Sequence, residues 1–271
     1  MTRPAATDFE LALFATDLKV VREAVAGGVH SIVVDWEHAG KEVRQADADT
    51  EINRHTVDDL RAARAATSAR LLCRLNRLGP GTAEEVDLAL GAGADELLLP
   101  MVRSAADVER TLELVGGRAG LGILVETRAA VAVADELAQL ALARVYVGLN
   151  DLAIERGTPT IFAPLADGLL DELRQTFAGT RFGFGGLTLP EAGTPLPCHL
   201  LVGELARLRA DFTFLRRSFY SDVAGRDPEQ EVARIRAAVA AAFARSPEAE
   251  AADRFELLAR LAPREAQAAL A

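Results

Sequence analysis

The sequence predicts an α/β fold of the TIM (β/α)8 barrel type, and three observations predict it. Short apolar runs alternate with stretches of helical spacing eight times along the 271 residues. The strand–helix units are of similar length, with no second core and no fixed repeat that would suggest a solenoid. Polar and charged residues follow the apolar runs directly, at the strand ends where a parallel barrel keeps its chemistry. The chain reads as one barrel domain over residues 1–271 with a helical extension over 228–271.

Taken in order, Phe9 to Thr16 is the first strand, and a helix follows from Asp17, its N-cap, to the Gly27-Gly28 stop. SIVVDWE is the second strand and ends in Asp35-Trp36-Glu37-His38. Ala39 to His55 is a long charged loop carrying Asp47, Asp49 and Glu51, and the helix after it runs through Val57 to Ala66. ARLLCRLN delivers Arg74 and Asn76 before a helix from Thr82 to Gly91. DELLLPMV is the fourth strand, and Ser104 caps its helix. GILVE ends in Glu126, a single helix is expected over Thr127 to Leu140, and ARVYVG ends in Gly148-Leu149-Asn150-Asp151. Ala153 to Gly168 reads as irregular, with a helix from Leu169 to Phe177. RFGFGG, a helix near Leu200 to Leu208, and DFTFLRR complete the eight units. Two alanine-rich helices, Pro228 to Arg245 and Glu248 to Leu270, close the chain.

Composition removes several classes of function. The formal net charge is -10 and no run of Lys or Arg forms a basic patch, which argues against nucleic acid and anionic membrane as partners. Cys73 and Cys198 lack metal-ligand or redox spacing, so buried thiols in a reducing cytoplasm are expected. The N-terminal MTRPAATDFE has no signal-peptide core, and no apolar run reaches the roughly 18 residues of a membrane span. The expectation is a soluble cytoplasmic protein.

The stretch from Gly120 to Leu152 carries the chemistry. Parallel strands joined by a right-handed crossover put their C-terminal ends on one edge, so Glu126 and Asp151 face a common pocket. Carboxylates converging there suit a hard divalent cation, whereas the plain alternative is a helix cap and a loop acid. The other strand ends add Asp35, Glu37, His38, Arg74 and Asn76. That set fits a metal-bound 2-oxo acid, with Arg74 pairing with a carboxylate or oxyanion and His38 as the acid/base. The adjacent Arg216 and Arg217 either bind a second acid or phosphate group or serve structure. Together with the two long loops they are expected to form the wall that selects the acceptor.

DWEH, CRLNRL, GAGADELLLPMVRSAADVE, ILVET and VYVGLNDLA, in that order, resemble the 2-oxo acid aldolase and citrate lyase beta-subunit family of the phosphoenolpyruvate/pyruvate barrels. The resemblance runs from roughly Leu11 to Arg156. It implies magnesium or manganese held by Glu126 and Asp151, a substrate oxygen met by Arg74, His38 as acid/base oriented by Asp35, and Glu37 ordering water at the metal. It also implies a homo-oligomer built from dimers, commonly a hexamer, whose C-terminal helices are exchanged between subunits. Leu124, Trp36 and Leu149-Asn150 depart from the family's usual residues, so these positions and Gly148 are expected to shape a drier substrate pocket. The function expected is a metal-dependent carbon–carbon lyase joining or splitting a 2-oxo acid and an aldehyde-type acceptor. The alternatives are a citryl- or malyl-coenzyme A lyase, an oxo-acid decarboxylase, and a non-catalytic ligand-binding barrel subunit.

Overall fold

A computed structural model of the chain describes residues 8–38 and 55–262. Of the predicted loop Ala39 to His55, only His55 is among the described residues, and the end of the last predicted helix also lies outside them. Eight parallel strands close into a barrel in sequence order, as predicted. They are β1 (Glu10–Phe14), β2 (Ser31–Asp35), β3 (Arg70–Arg74), β4 (Glu96–Leu99), β5 (Gly120–Val125), β6 (Arg144–Val147), β7 (Arg181–Phe184) and β8 (Phe212–Leu215). Closure is made by β8 on β1, from Glu10↔Phe212 to Leu13↔Leu215.

The helices follow their strands and begin at the expected signals. Asp17 caps α1 (Leu18–Ala26) by accepting from the Lys19 and Val20 N–H groups. Thr56 and Ser104 form capping boxes with Asp59 and Asp107 at the starts of α2 (Val57–Ala66) and α4 (Ala105–Val115), and α3 (Thr82–Gly91) lies between them. The single helix expected after β5 is instead two short ones, α5 (Arg128–Ala132) and α6 (Ala134–Leu137), which meet where Val133 leaves helical geometry. Two β-branched valines alternating with alanine give little local support for one continuous helix. The stretch Ala153 to Gly168 is more regular than expected: it holds the end of α7 (Leu149–Arg156), stopped by left-handed Gly157, and the short α8 (Ala163–Ala166), while α9 (Leu169–Thr176) falls where a helix is expected. Leu149, Leu152 and Ala153 are buried at helical spacing, a pattern the neighbouring Thr-Pro hides.

After β7 comes α10 (Cys198–Arg207), and after β8 the short α11 (Ser218–Asp222), α12 (Pro228–Phe243) and α13 (Pro247–Leu261). Helix α12 packs on α1 and α10, and α13 packs on α10 and α8. Leu257 of α13 is buried, and Arg254 of the same helix donates to the Leu165 carbonyl and to Glu204. Among the described residues, no helix is long and apolar enough to cross a membrane.

Strand alternation divides the core in two. Leu11, Leu13, Ile32, Val34, Leu71 and Cys73 belong to the large cluster between strands and helices. Ala12, Val33, Leu72, Leu98, Leu124, Tyr146, Phe212 and Phe214 form a separate cluster inside the barrel, with Phe14 against it. At the N-terminal end of the strands the interior is charged. Arg144, 0% exposed, takes Glu96 with Nε and Nη2 and Glu10 with Nη1 at 3.1 Å, while its guanidinium lies 4.7 Å from the Phe212 ring centroid. Arg181 pairs with Glu10 at 2.9 Å and Ser31 donates to the same carboxylate.

Burial alone would raise the Glu10 pKa, but the Arg144 charge, the Ser31 hydroxyl and the Arg181 charge together hold it below the usual carboxylate value of 4.5. Such a group stabilises the fold above its unfolded pKa, and the contribution is lost as pH falls through the folded one. Removing Arg144 would take away the buried guanidinium that the two carboxylates share, leaving Glu10 to Arg181 and Ser31 and Glu96 to the half-exposed Arg70. Arg144→Met should therefore destabilise the protein by about 3–5 kcal/mol, a melting-temperature loss on the order of 10 °C. Adding Glu96→Gln should recover part of that loss, and the difference from wild type should narrow in thermal melts below pH 4.5. A single variant that melts with wild type at neutral pH would rule out a structural role for the network.

Candidate active site

The C-terminal ends of the strands gather the predicted residues around a cavity of about 730 Å³. Arg74, Leu124, Glu126, Gly148, Leu149, Asn150, Asp151, Arg216 and Arg217 all line it. Glu126 follows β5 on the inward-facing side, two residues after Leu124, and is 2% exposed. It is not a helix cap, because Thr127 caps α5 by accepting from the Ala130 N–H at 3.0 Å. Asp151 lies in the first turn of α7. The N-cap of α7 is Gly148, where an added Cβ would come within 2.5 Å of Glu126 Oε2, so only glycine leaves room for that carboxylate.

Glu126 is also held from β4. The Met101 N–H donates to its Oε1 at 2.8 Å, and Met101 has a left-handed backbone with φ of 54°. A non-glycine residue in that region costs on the order of 1–3 kcal/mol, and here the strained turn aims an N–H into the site. Burial is the largest influence on Glu126, followed by the charges of Glu37 and Asp151; these outweigh Arg74 and the Met101 N–H and push its pKa up to about 8.

Arg74 is already gripped from below. Its Nε and Nη2 donate to the two Asp35 oxygens at 2.8 Å each, and Nη1 lies 3.2 Å from Glu37 Oε2. The guanidinium also lies 4.9 Å from the Phe14 ring centroid. Burial disfavours its charge, but Asp35 and Glu37 more than compensate and raise its pKa. Asp35 is fully buried, accepts from the Glu37 N–H, and its own backbone N–H donates to His55 Nδ1.

His38 is placed differently from the sequence-based expectation. It is exposed and lines a neighbouring cavity of about 550 Å³ together with Asn76 and Met101. Its Nδ1 donates to the Trp36 carbonyl at 2.8 Å, and its backbone N–H donates to Asn76 Oδ1. The carboxylate expected to orient it, Asp35, is instead taken by both prongs of Arg74. Trp36 was expected in the substrate pocket, but it packs in the core between strands and helices because it falls on the outward side of the strand alternation.

Sequence reasoning missed Tyr146, Phe14 and Phe214, which line the same cavity. Their signal was available: each sits at an inward-facing strand position, Tyr146 two residues before Gly148. Burial raises the Tyr146 pKa, so its hydroxyl stays protonated. Among the described residues, no group of three or more His, Cys, Asp or Glu side chains is arranged to hold a metal, and Glu126 and Asp151 supply two carboxylates.

Comparison with known proteins bears on this site directly. The model of the HpcH/HpaI aldolase/citrate lyase family matches residues 12–161, a span that includes Asp35, Arg74, Glu126 and Asp151 but not Arg216 or Arg217. No curated protein matches the chain. With more than half of its length matched and a barrel that carries its acids at the strand ends, the chain belongs to the HpcH/HpaI aldolase/citrate lyase family and is an enzyme of lyase or aldolase type.

Proposed function

We propose that the protein is a divalent-cation-dependent aldolase that forms or breaks the carbon–carbon bond of a 2-oxo acid through a pyruvate-type enolate. The observation that carries this reading is the charge balance at the barrel mouth. Glu37 and Asp151 act on buried Glu126, and together with burial they outweigh Arg74 and drive its pKa to about 8. A hard cation would relieve that repulsion, and two carboxylates beside open space suit one that keeps substrate and water oxygens as its remaining ligands. Glu126 and Asp151 would hold it, with magnesium or manganese the fitting metals. When bound, the cation supplies positive charge that polarises the keto group and favours enolate formation.

The chain's own groups do the rest. Among the described residues, Asp35 and Glu37 take three of Arg74's five N–H groups, so each terminal nitrogen keeps one to meet a developing oxyanion. The first turn of α7 has no side-chain cap, so its backbone N–H groups at the cavity wall can receive the oxo acid's carboxylate. His38 is the proton carrier in this reading. With Nδ1 committed to the Trp36 carbonyl, Nε2 is the basic nitrogen, and its cavity shares Met101 with the Glu126 support. The same reading makes the protein a homo-oligomer, consistent with Phe255 (71% exposed) and Leu258 on the outer face of α13.

Two measurements test it. Glu126→Gln should abolish cation-dependent exchange of pyruvate methyl protons with deuterated solvent, followed by proton NMR. In chelator-treated protein the same change should raise the melting temperature. A carboxyl whose folded pKa exceeds its unfolded value costs nothing below the unfolded pKa, and its penalty grows as pH rises toward about 8. The gain should therefore be largest above that pH. Wild-type exchange by the variant after cation is restored would sink the assignment.

His38→Ala should lower turnover by roughly 10²- to 10⁴-fold, with little change in KM and loss of the acidic limb of the pH profile. Arg74→Lys should raise KM, because an ammonium cannot keep the two-pronged grip on Asp35 and still meet substrate. Near-normal turnover and an unshifted profile in His38→Ala would assign the proton transfer to water beside Glu37.

A further inference from the structure

Asn76 lies two residues beyond Arg74 at the end of β3, buried in the wall of the smaller cavity, which it shares with His38 and Glu85. Its side-chain amide is held at both ends. Nδ2 donates to Glu85 Oε1 at 2.7 Å, and Oδ1 accepts from the His38 backbone N–H at 3.0 Å. The other Glu85 oxygen, Oε2, accepts from the Asn76 backbone N–H at 3.0 Å. Glu85 belongs to the first turn of α3, where its own N–H donates to the Gly81 carbonyl at 3.0 Å.

The order of these bonds is set by which groups carry protons. A carboxylate only accepts, so Glu85 must face the NH2 end of the amide, and the carbonyl end is then the one left for His38. A flipped amide would set oxygen against oxygen at Glu85 and nitrogen against N–H at His38. Through Asn76, Glu85 thus decides whether the His38 backbone meets an acceptor. The imidazole is tied to that same stretch of backbone, Nδ1 donating to the Trp36 carbonyl at 2.8 Å, so where the backbone rests sets where Nε2 points. Arg74 is fixed by other partners: its side chain by Asp35, and its carbonyl by the Trp36 N–H at 2.8 Å.

Resting on the reading of His38 as proton carrier, we infer that Glu85 is a positioning residue for the proton transfer, acting through the Asn76 amide to hold His38 Nε2 where it exchanges its proton. Each single change breaks the match. Glu85→Gln sets two amides face to face with one acceptor too few, and Asn76→Asp sets two carboxylates together. Making both changes restores it: the amide at position 85 donates to the carboxylate at position 76, which still accepts from the His38 N–H, and the position-85 carbonyl still accepts from the backbone.

The test follows cation-dependent exchange of pyruvate methyl protons with magnesium as the cation. Glu85→Gln and Asn76→Asp should each lower kcat by roughly 10- to 100-fold, the cost of misplacing a reacting group by about 1 Å, with KM for pyruvate nearly unchanged. The double variant Asn76→Asp/Glu85→Gln should recover most of the loss. In a His38→Ala background Glu85→Gln should lower kcat no further, because residues acting through one group are not additive. Melting temperatures show which variants fold, and the comparison of the double variant with Glu85→Gln holds even where Asn76→Asp alone does not fold. Wild-type kcat in Glu85→Gln, a double variant no faster than Glu85→Gln, or an undiminished further loss in the His38→Ala background would overturn the assignment, while a slow His38→Ala enzyme leaves the carrier reading intact. Near-normal turnover in His38→Ala alone would overturn both.

Discussion

Closing eight parallel strands on themselves sends every second residue of each strand into a space that bulk water does not reach, and the rest of this structure follows from how that space is filled. Any charge placed there must bring its partner from another strand. Asp35 of β2 and Arg74 of β3 do this at one end, and Arg144 of β6 does it with Glu10 of β1 and Glu96 of β4 at the other. The two ends differ in their balance. At the N-terminal end the carboxylates and guanidinium are mutually satisfied, and Glu10 titrates low. At the C-terminal end the acids outnumber what Arg74 can neutralise, and Glu126 titrates high. Burial and neighbouring carboxylates thus push Glu126 up where Arg144, Ser31 and Arg181 hold Glu10 down.

The fold was legible because strand and helix periods alternate without interruption, and because Asp17 and Ser104 mark helix starts by chemistry that depends only on near neighbours. Glu126, Asp151 and Arg74 were legible for a related reason: a charged residue at the end of a buried run has few places to go. What local reasoning missed depended on contacts distant in sequence. His38 lies directly after Glu37, yet its ring is held by the Trp36 carbonyl and it lines a different cavity, together with Asn76. Trp36 was misplaced by parity, since Asp35 and Glu37 share the face that Trp36 does not. The left-handed Met101 backbone leaves no trace in composition, because its only justification is an acceptor on the next strand.

The hydrogen bonds around Arg216, whose Nε donates to Ser218 Oγ while Ser218 and Thr188 both donate to Asp222, belong to the same class of hidden feature. Thr188 follows β7 while Ser218 and Asp222 open and close α11 after β8, and only the meeting of the β7 and β8 ends brings them together. Arg217 illustrates the contrast: it stands next in sequence and lines the same cavity, but it is exposed and, among the described residues, its side chain has no comparable hydrogen bond. Two adjacent arginines that look equivalent in sequence are thus one anchored through Nε and one exposed.

The apolar storey between the two charged ends, from Ala12 and Val33 through Leu124 to Phe212 and Phe214, has a further consequence. It keeps them apart: among the described residues, Arg144, Glu10 and Glu96 below it share no ion pair with Arg74, Asp35 and Glu37 above it, so each end is held by its own partners. A lineage could therefore exchange residues at the mouth repeatedly without renegotiating the fold beneath, and a protein engineer can treat the upper rim as a replaceable fitting on a fixed base.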